Sequence, residues 1–339
     1  MSKITLVGLD TAKSVFHLVA VDEHGQVGWR RCLRRAQLLS FFGQLPRTRV
    51  VLEACGGSHH WGRRLREQGH TVQLIGAQFV SPYRRGQKND YRDAEAIAAA
   101  ALSPGMRFVQ VKSAEQQAVQ ALHRVRERAL SERVAVANQL RGLLAEHGVV
   151  FGRGERALIV GTHELLERSP LPAPLPKLVA GLLEELARAR ERLREYEQEI
   201  LALARRSATA QALQRQLPGV GPLTATALPV QVADVRVFAN GRQFAAYLGL
   251  VARQHSSGGR TRLGRLSKCG DRYLRKLLIH GARAVLRHLG EKPDADSVWL
   301  RALLARRGFN KACVALAHRN ARRAWAIMAR QAALEALPA

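Results

Sequence analysis

The chain has 339 residues, 47% of them hydrophobic and 24% charged, which is enough apolar material for sizeable cores and excludes a disordered or fibrous chain. Its 54 lysines and arginines stand against 27 aspartates and glutamates, a formal charge of +27, and 45 of the 54 are arginine, the better fork for phosphate oxygens. A polyanion is the expected partner.

Taken in chain order, the apolar runs Ile4–Asp10 and Phe16–Asp22 predict two consecutive strands, followed by a turn through Glu23, His24 and Gly25. A third strand over Gln26–Leu33, a helix over Gln37–Leu45 and a strand over Arg49–Ala54 come next. A helix around Trp61–Gln68, a strand over Thr71–Gly76 and a helix from Asp90, with Ala94, Ile97 and Ala98 on its buried side, complete a mixed α/β domain over residues 1–112.

Residues 113–208 predict a helical arm: one helix from Ser113 to His147 and a second from Leu178 to Arg205, separated by the helix-hostile Ser169–Pro176 segment. Phe151–Pro176 offers only a linker or short helices. In the second helix Leu182, Leu186, Ala189, Leu193, Tyr196, Ile200 and Leu203 alternate steps of four and three, a coiled-coil seam. Its partner is either a second copy or the preceding helix of the same chain.

Residues 209–335 form a mostly helical, basic C-terminal domain. Arg253–Arg330 carries 19 basic and 4 acidic residues, against 15 and 8 in residues 1–100, so the positive charge is concentrated in the C-terminal portion. Cys32, Cys55, Cys269 and Cys313 are too scattered for a metal knuckle or a disulfide framework, which fits a reducing cytoplasm. MSKITLVGLD lacks a signal-peptide pattern, and no uncharged apolar run reaches about 18 residues, so no membrane association is expected.

Four carboxylates stand out. Asp10 ends the first strand and Glu53 the strand from Arg49, where α/β sites gather. Asp90 and Asp93 are three residues apart and share a helix face. Together they can hold two Mg²⁺ ions and act on a phosphodiester. Singly, Asp10 can simply end a strand, Glu53 can pair with an arginine, and Asp90 can cap a helix whose dipole favours Asp93.

The motifs GLDTAK around Asp10, LEACGG around Glu53 and KNDYRDAEAIA around Asp90 and Asp93 resemble those of the DEDD, Piv-like insertion-sequence transposases, the bridge-RNA-guided recombinases. The resemblance implies a ribonuclease-H/RuvC-like N-terminal sheet whose four acids, here Asp10, Glu53, Asp90 and Asp93, hold Mg²⁺. It also implies double-stranded DNA at element ends and target, a noncoding bridge RNA that pairs with that DNA, and a homodimer assembling to a tetramer. Such a protein works in the bacterial cytoplasm, at the nucleoid during the reaction.

Leu217–Gly221, LPGVG, resembles a helix-hairpin-helix turn, in which Gly219 and Gly221 leave backbone N–H groups open to a phosphate; a plain Gly-rich connector is the alternative. Further on, Ser256 and Ser257 sit in a Gly-bearing loop among Arg253, Arg260, Arg262, Arg265 and Lys268, followed by Arg272, Arg275 and Lys276 on a basic helix. A serine there either attacks phosphorus or merely hydrogen-bonds to phosphate. The segment resembles the C-terminal transposase domain of the same family, which puts the nucleophile on Ser257, with Ser256 as the alternative. Ala252 departs from the pattern, which has Pro there. Trp299 and Trp325 are expected in packing. A RuvC-like nuclease with a basic accessory domain and a non-catalytic nucleic-acid scaffold are the rival functions.

Overall fold

The structure, a computed structural model, describes residues 4–84, 89–168 and 171–335. Met1–Lys3, Lys88 of the KND motif, and Ser169 and Pro170 of the proline-rich segment lie outside the described residues. The chain divides into two compact units, Met1–Gln117 with Val232–Asp234, and Ala118–Gln231 with Val235–Ala339. No described helix is long and apolar enough to cross a membrane.

In the first unit the apolar runs become β1 (Leu6–Thr11), β2 (Val15–Val21) and β3 (Val27–Arg34), then α1 (Leu38–Gly43), β4 (Arg49–Glu53), α2 (Ser58–Glu67) and β5 (Thr71–Ile75). The short α3 (Ala77–Val80), α4 (Asp90–Leu102) and β6 (Phe108–Val109) follow. The six strands are ordered β3-β2-β1-β4-β5-β6. β1, β4 and β5 run parallel, while β2, β3 and β6 are antiparallel to their neighbours. The expected mixed sheet with flanking helices is therefore present, with boundaries within three residues of the pattern's.

Alternation along β1 sorts its side chains onto two faces. Val7 and Leu9 join a core with Phe42, Trp61 and Leu65 from the α1 and α2 side. Leu6 faces the other way, into a core with Val19, Val51 and the alanine-rich face of α4. Gly8 shares that second face, and a Cβ there would lie 2.4 Å from the Ala94 carbonyl oxygen and 3.0 Å from Ala98 Cβ. The missing side chain lets α4 settle directly on β1.

The second unit is helical apart from one hairpin. α5 (Ala114–Ala145), α6 (Glu155–Arg168) and α7 (Leu175–Arg206) form the arm. α6 replaces the expected linker or short helices with fourteen helical residues, and α7 begins with the prolines at its first turn, where no N–H is lost. Of the seam residues on α7, Leu186, Ala189, Leu193 and Ile200 are buried, Tyr196 and Leu203 are half-buried, and Leu182 packs against a core that holds Leu140 and Leu144 of α5 and Leu158 of α6. The ion pairs Arg192–Glu132 and Arg126–Glu197 tie α7 antiparallel to α5. Of the two partners left open by the sequence, it is the chain's own preceding helix that covers this stripe.

α8 (Ala208–Gln216) and α9 (Pro222–Val232) flank the LPGVG turn, so the apolar segment after it is a helix. α10 (Gly241–Tyr247), β7 (Ala252–Ser257), β8 (Arg260–Leu266), α11 (Arg272–Arg287), α12 (Ala295–Arg307) and α13 (Phe309–Glu335) complete the unit, with α13 packed on α8, α10, α11 and α12. Asp271 caps α11 by accepting from the Leu274 N–H at 2.8 Å. Trp325 packs as expected, its indole N–H shared between the Val235 and Phe238 carbonyls at 3.2 Å.

His123 of α5 joins this unit's polar interior, its ring nitrogens 2.9 Å from the Tyr273 hydroxyl and 3.1 Å from Thr226 Oγ1. Burial, with Arg126 nearby, lowers its pKa to about 4, so it serves as a neutral hydrogen-bonding group.

Gly8→Ala is expected to destabilise the protein by about 1–3 kcal/mol, because the added methyl meets helix backbone rather than a side chain that can turn away. A urea unfolding midpoint equal to that of the wild type would show that α4 does not depend on this contact.

Candidate active site

The pairing of β1 with β4 ends at Leu9↔Leu52, so Asp10 and Glu53 are the next residues on two adjacent parallel strands. On the other side Asp10 is paired with His17 of β2. Residues in register share a sheet face, and here it is the face on which α4 lies. Because Gly8 admits α4, the first turn of that helix stands over these strand ends. Asn89, not Asp90, is its cap, accepting from the Tyr91 N–H at 3.0 Å, which leaves the Asp90 carboxylate available.

Asp90 Oδ2 lies 3.8 Å from His17 Nδ1 and is well exposed, whereas Glu53 and Asp93 are 19% and 16% exposed. Arg84 sits between the latter two, with Nη2 2.9 Å from Glu53 Oε2 and Nε 2.7 Å from Asp93 Oδ1. Thr11 Oγ1 and Cys55 Sγ, 3.1 Å apart, join the ends of β1 and β4 just past the acids. Burial first, then the charges of Asp93, Glu53 and Asp90, push the Asp10 carboxyl above its ordinary pKa, with His17 pulling the other way.

The four acids singled out from the sequence are therefore brought to one end of one sheet face. Their all-oxygen donor set suits a hard dication, and burial, then the neighbouring carboxylates, disfavour the charged form of Asp10, a cost that such an ion would relieve. Arg84 places a positive charge between two of them. With it lodged between Glu53 and Asp93, no three histidine, cysteine or acidic side chains among the described residues are grouped closely enough to hold one ion.

Sequence reasoning did not single out Arg84, His17 or Gly8. An isolated glycine inside an apolar strand is a signal of close backbone approach, and His17 follows from pairing β2 against β1. Arg84 follows from the need of clustered carboxylates for a cation. His59 and His60 are local contacts: His59 Nδ1 accepts from the Lys112 N–H at 3.1 Å, and His60 lies edge-on to Trp61.

In the second unit the serine segment is not a loop but a two-stranded hairpin, turned by Gly258 and Gly259 at φ +54° and +72°. Ser257 is opposite Arg260 and His255 opposite Arg262, whereas Ser256 is opposite Thr261 and Gln254 opposite Leu263. Alternation therefore places Ser257 with His255, Arg260 and Arg262 on one face, and Ser256 with Gln254, Thr261 and Leu263 on the other. Gln254 Nε2 donates to Ser256 Oγ at 2.9 Å. Every residue from Ala252 to Arg265 is exposed, and Arg260, Arg262 and Arg265 form no ion pair among the described residues.

The remaining basic residues divide. Arg253 reaches the Ser267 carbonyl at 3.4 Å. Lys268 and Arg272 are exposed, Lys268 in the left-handed region at φ +55°. Arg275, expected toward nucleic acid, is buried and donates to the Leu248 and Cys269 carbonyls at 3.0 and 2.9 Å; it pins the root of the hairpin to α11. Lys276 is paired with Glu127. Gly219 is held at φ +76°, where a Cβ would lie 2.4 Å from the Gly281 carbonyl, so it serves close packing; Gly221 is open to solvent.

A profile of the "Transposase IS116/IS110/IS902 family" matches residues 211–298, and a second profile, a DEDD transposase of the IS110 group, matches residues 7–148. The chain is 51% identical over 331 residues to a "probable family 20 transposase" of Pseudomonas aeruginosa, covering 97% of this chain and 98% of that one. It is 45% identical over 333 residues to the transposase for insertion sequence element IS1111A of Coxiella burnetii, covering 98% and 91%. To the transposase for insertion sequence element IS1328 of Yersinia enterocolitica it is 37% identical over 327 residues, covering 96% and 97%. With similarity running nearly end to end, the chain belongs to the IS116/IS110/IS902 family of transposases.

Proposed function

We propose that this transposase cuts and rejoins DNA through a serine–DNA ester, with Ser257 as nucleophile and Asp10, Glu53, Asp90 and Asp93 as a site for Mg²⁺. The observation that carries the reading is the gathering of Asp10, Glu53 and Asp93 on one sheet face, against their mutual repulsion and partly neutralised by Arg84. The strand order β3-β2-β1-β4-β5, with β2 antiparallel between β1 and β3, supports a ribonuclease-H/RuvC-like N-terminal domain.

Mg²⁺ bound by these carboxylates, two ions in the fullest form of the proposal, would polarise phosphoryl oxygens and stabilise the charge that develops on them. Arg84 must leave Glu53 and Asp93 for those oxygens to become available. Ser257 Oγ attacks the DNA phosphorus as the bond to the leaving deoxyribose oxygen breaks, and the serine proton ends on the hydroxyl released. Arg260 and Arg262, on the Ser257 face, offset charge on the phosphate oxygens. Attack by a DNA hydroxyl on the serine ester reverses the step and rejoins the strand.

The partners proposed are double-stranded DNA at element ends and target, a noncoding bridge RNA that selects sequence by pairing, and a homodimer that assembles to a tetramer. The +27 charge and the unpaired hairpin arginines support a nucleic-acid load. The carboxylates and the serine act on one phosphate, either from one chain or from two copies.

Ser257→Ala is expected to lower strand exchange at least about 10³-fold and to abolish the covalent protein–DNA species on a denaturing gel, while Ser256→Ala retains both. A persistent adduct in Ser257→Ala would refute the assignment. Cleavage that needs Asp10 and Glu53 but not Ser257 would instead identify a metal-dependent nuclease.

The raised pKa of Asp10 fixes the sign of a second experiment. Its protonated form is favoured by folding, so that contribution is complete below the ordinary carboxylate pKa of about 4 and is lost as pH rises through the folded value. In EDTA at neutral pH, Asp10→Asn should therefore unfold at a higher midpoint than wild type, with the gap closing as pH falls. Adding Mg²⁺ should reverse the order, stabilising wild type by about 2.7 kcal/mol at one hundred times its Kd. A midpoint indifferent to Mg²⁺ in wild type counts against the metal site.

Arg84→Ala removes the cation that competes for Glu53 and Asp93. Calorimetric titration should show Mg²⁺ affinity raised roughly tenfold. An unchanged or weaker affinity would mean that Arg84 does not stand in for the ion.

A further inference from the structure

An open cavity of about 490 Å³ lies in the second unit where α12 and α13 meet the segment leading into β7. Its apolar lining is Leu250, Val314 and Ala315; its remaining lining is Trp299, Lys311, His318, Arg319 and Arg322. Lys311, Val314, Ala315, His318 and Arg322 follow helical spacing along one face of α13. Trp299 was expected in packing, but it is only partly buried and borders this open space.

The wall is preorganised. Arg319 stacks over the Trp299 ring at 4.7 Å and is held from behind by Asp296 at 2.9 Å. Asp296 is also bound by Arg323, so the nearest acid is already neutralised. Lys311 and Arg322 form no ion pair among the described residues. Eleven residues apart, they bracket a stretch of roughly 16 Å along the helix. Between them, burial and the Arg322 charge keep the His318 imidazole below its ordinary pKa, which leaves it as a neutral hydrogen-bonding group.

A cavity of this size with one fixed aromatic wall, two free cations at its ends and a neutral hydrogen-bonding group between them matches the chemistry of a nucleotide rather than of a duplex surface. A duplex offers phosphates but no base face, whereas an unstacked base can lie against the part of Trp299 that borders the cavity beside Arg319. Leu250 lies seven residues before Ser257, at most roughly 23 Å of extended strand, which spans about seven base steps of one DNA strand. The cavity is thus at the root of the hairpin that carries the proposed nucleophile.

We propose that this cavity binds unstacked nucleotides of a nucleic-acid strand, a base against Trp299 and flanking phosphates at Lys311 and Arg322. The inference deepens the transposase reading by giving the protein a single-strand site within reach of the cleavage point. Its test needs no catalysis, so its outcome is independent of the role of Ser257.

The experiment uses full-length protein and three labelled probes of one sequence: a 12-nucleotide single-stranded DNA, the same RNA, and the 12-base-pair DNA duplex. Fluorescence anisotropy should show single-strand affinity lowered about tenfold or more by Trp299→Ala and largely retained by Trp299→Phe, with duplex affinity changed less than twofold. Lys311→Ala with Arg322→Ala should reduce the slope of log affinity against log salt by about 1.4 for single strands. A preference for the DNA or the RNA strand assigns the cavity to that strand. Wild-type single-strand binding in folded Trp299→Ala, or equal loss for single strand and duplex, would overturn the proposal.

Discussion

The candidate active site depends on how closely one helix can approach one strand. Asp10 and Glu53 are side by side because two parallel strands end together, and that geometry follows from ordinary sheet register. Asp90 and Asp93 join them only because α4 lies on β1 at the distance Gly8 permits, with the Ala94 carbonyl where a Cβ would otherwise be. The alanine face of α4 serves the same end, since small side chains keep the helix near the sheet along its length. A site made of like charges is thus held by apolar packing one turn away, which supplies the cohesion that the carboxylates oppose.

That opposition explains the placement of Arg84. Asp10 is penalised in its charged form by burial and by three neighbouring carboxylates. A guanidinium spanning Glu53 and Asp93 lowers the net charge of the cluster. Arginine suits the position because its planar fork can address two carboxylates at once while its pKa keeps it charged. It is partly exposed, so the pairing is worth little in water. A lysine would offer one point charge and a weaker bridge between the two acids.

Much of the first unit was legible because its signal is local. Each strand is a short apolar run with a turn residue after it, and α4 carries its small residues at helical spacing. What was missed depended on pairing between distant segments. His17 matters only through its register against Asp10, and Arg84 only through the gap between β4 and α4. In the second unit the exposed, arginine-rich sequence around Ser257 carries no alternating apolar face, so periodicity shows a loop where the structure has a hairpin; the Gly258-Gly259 pair is the one local signal for its turn. Arg275 was misplaced for a related reason. Its charge fits a basic helix surface, yet two carbonyls at the root of the hairpin satisfy it inside. The stripe on α7 is buried at Leu186, Ala189, Leu193 and Ile200, but spacing alone cannot choose between a second copy and the chain's own α5.

The hairpin itself is unusual in having no buried face at all. A two-stranded sheet exposed on both sides is marginal alone, and this one also sets Arg260 and Arg262 beside one another with no acid to offset them. Arg275 and the Arg253–Ser267 contact fix its root, leaving the tip to find stability elsewhere. Phosphate is the ligand that would repay both deficits, since it neutralises the arginines and supplies acceptors to their guanidinium donors. The same face carries Ser257. On so exposed a hairpin the hydroxyl proposed as nucleophile would meet a phosphate directly, with two guanidinium groups beside it.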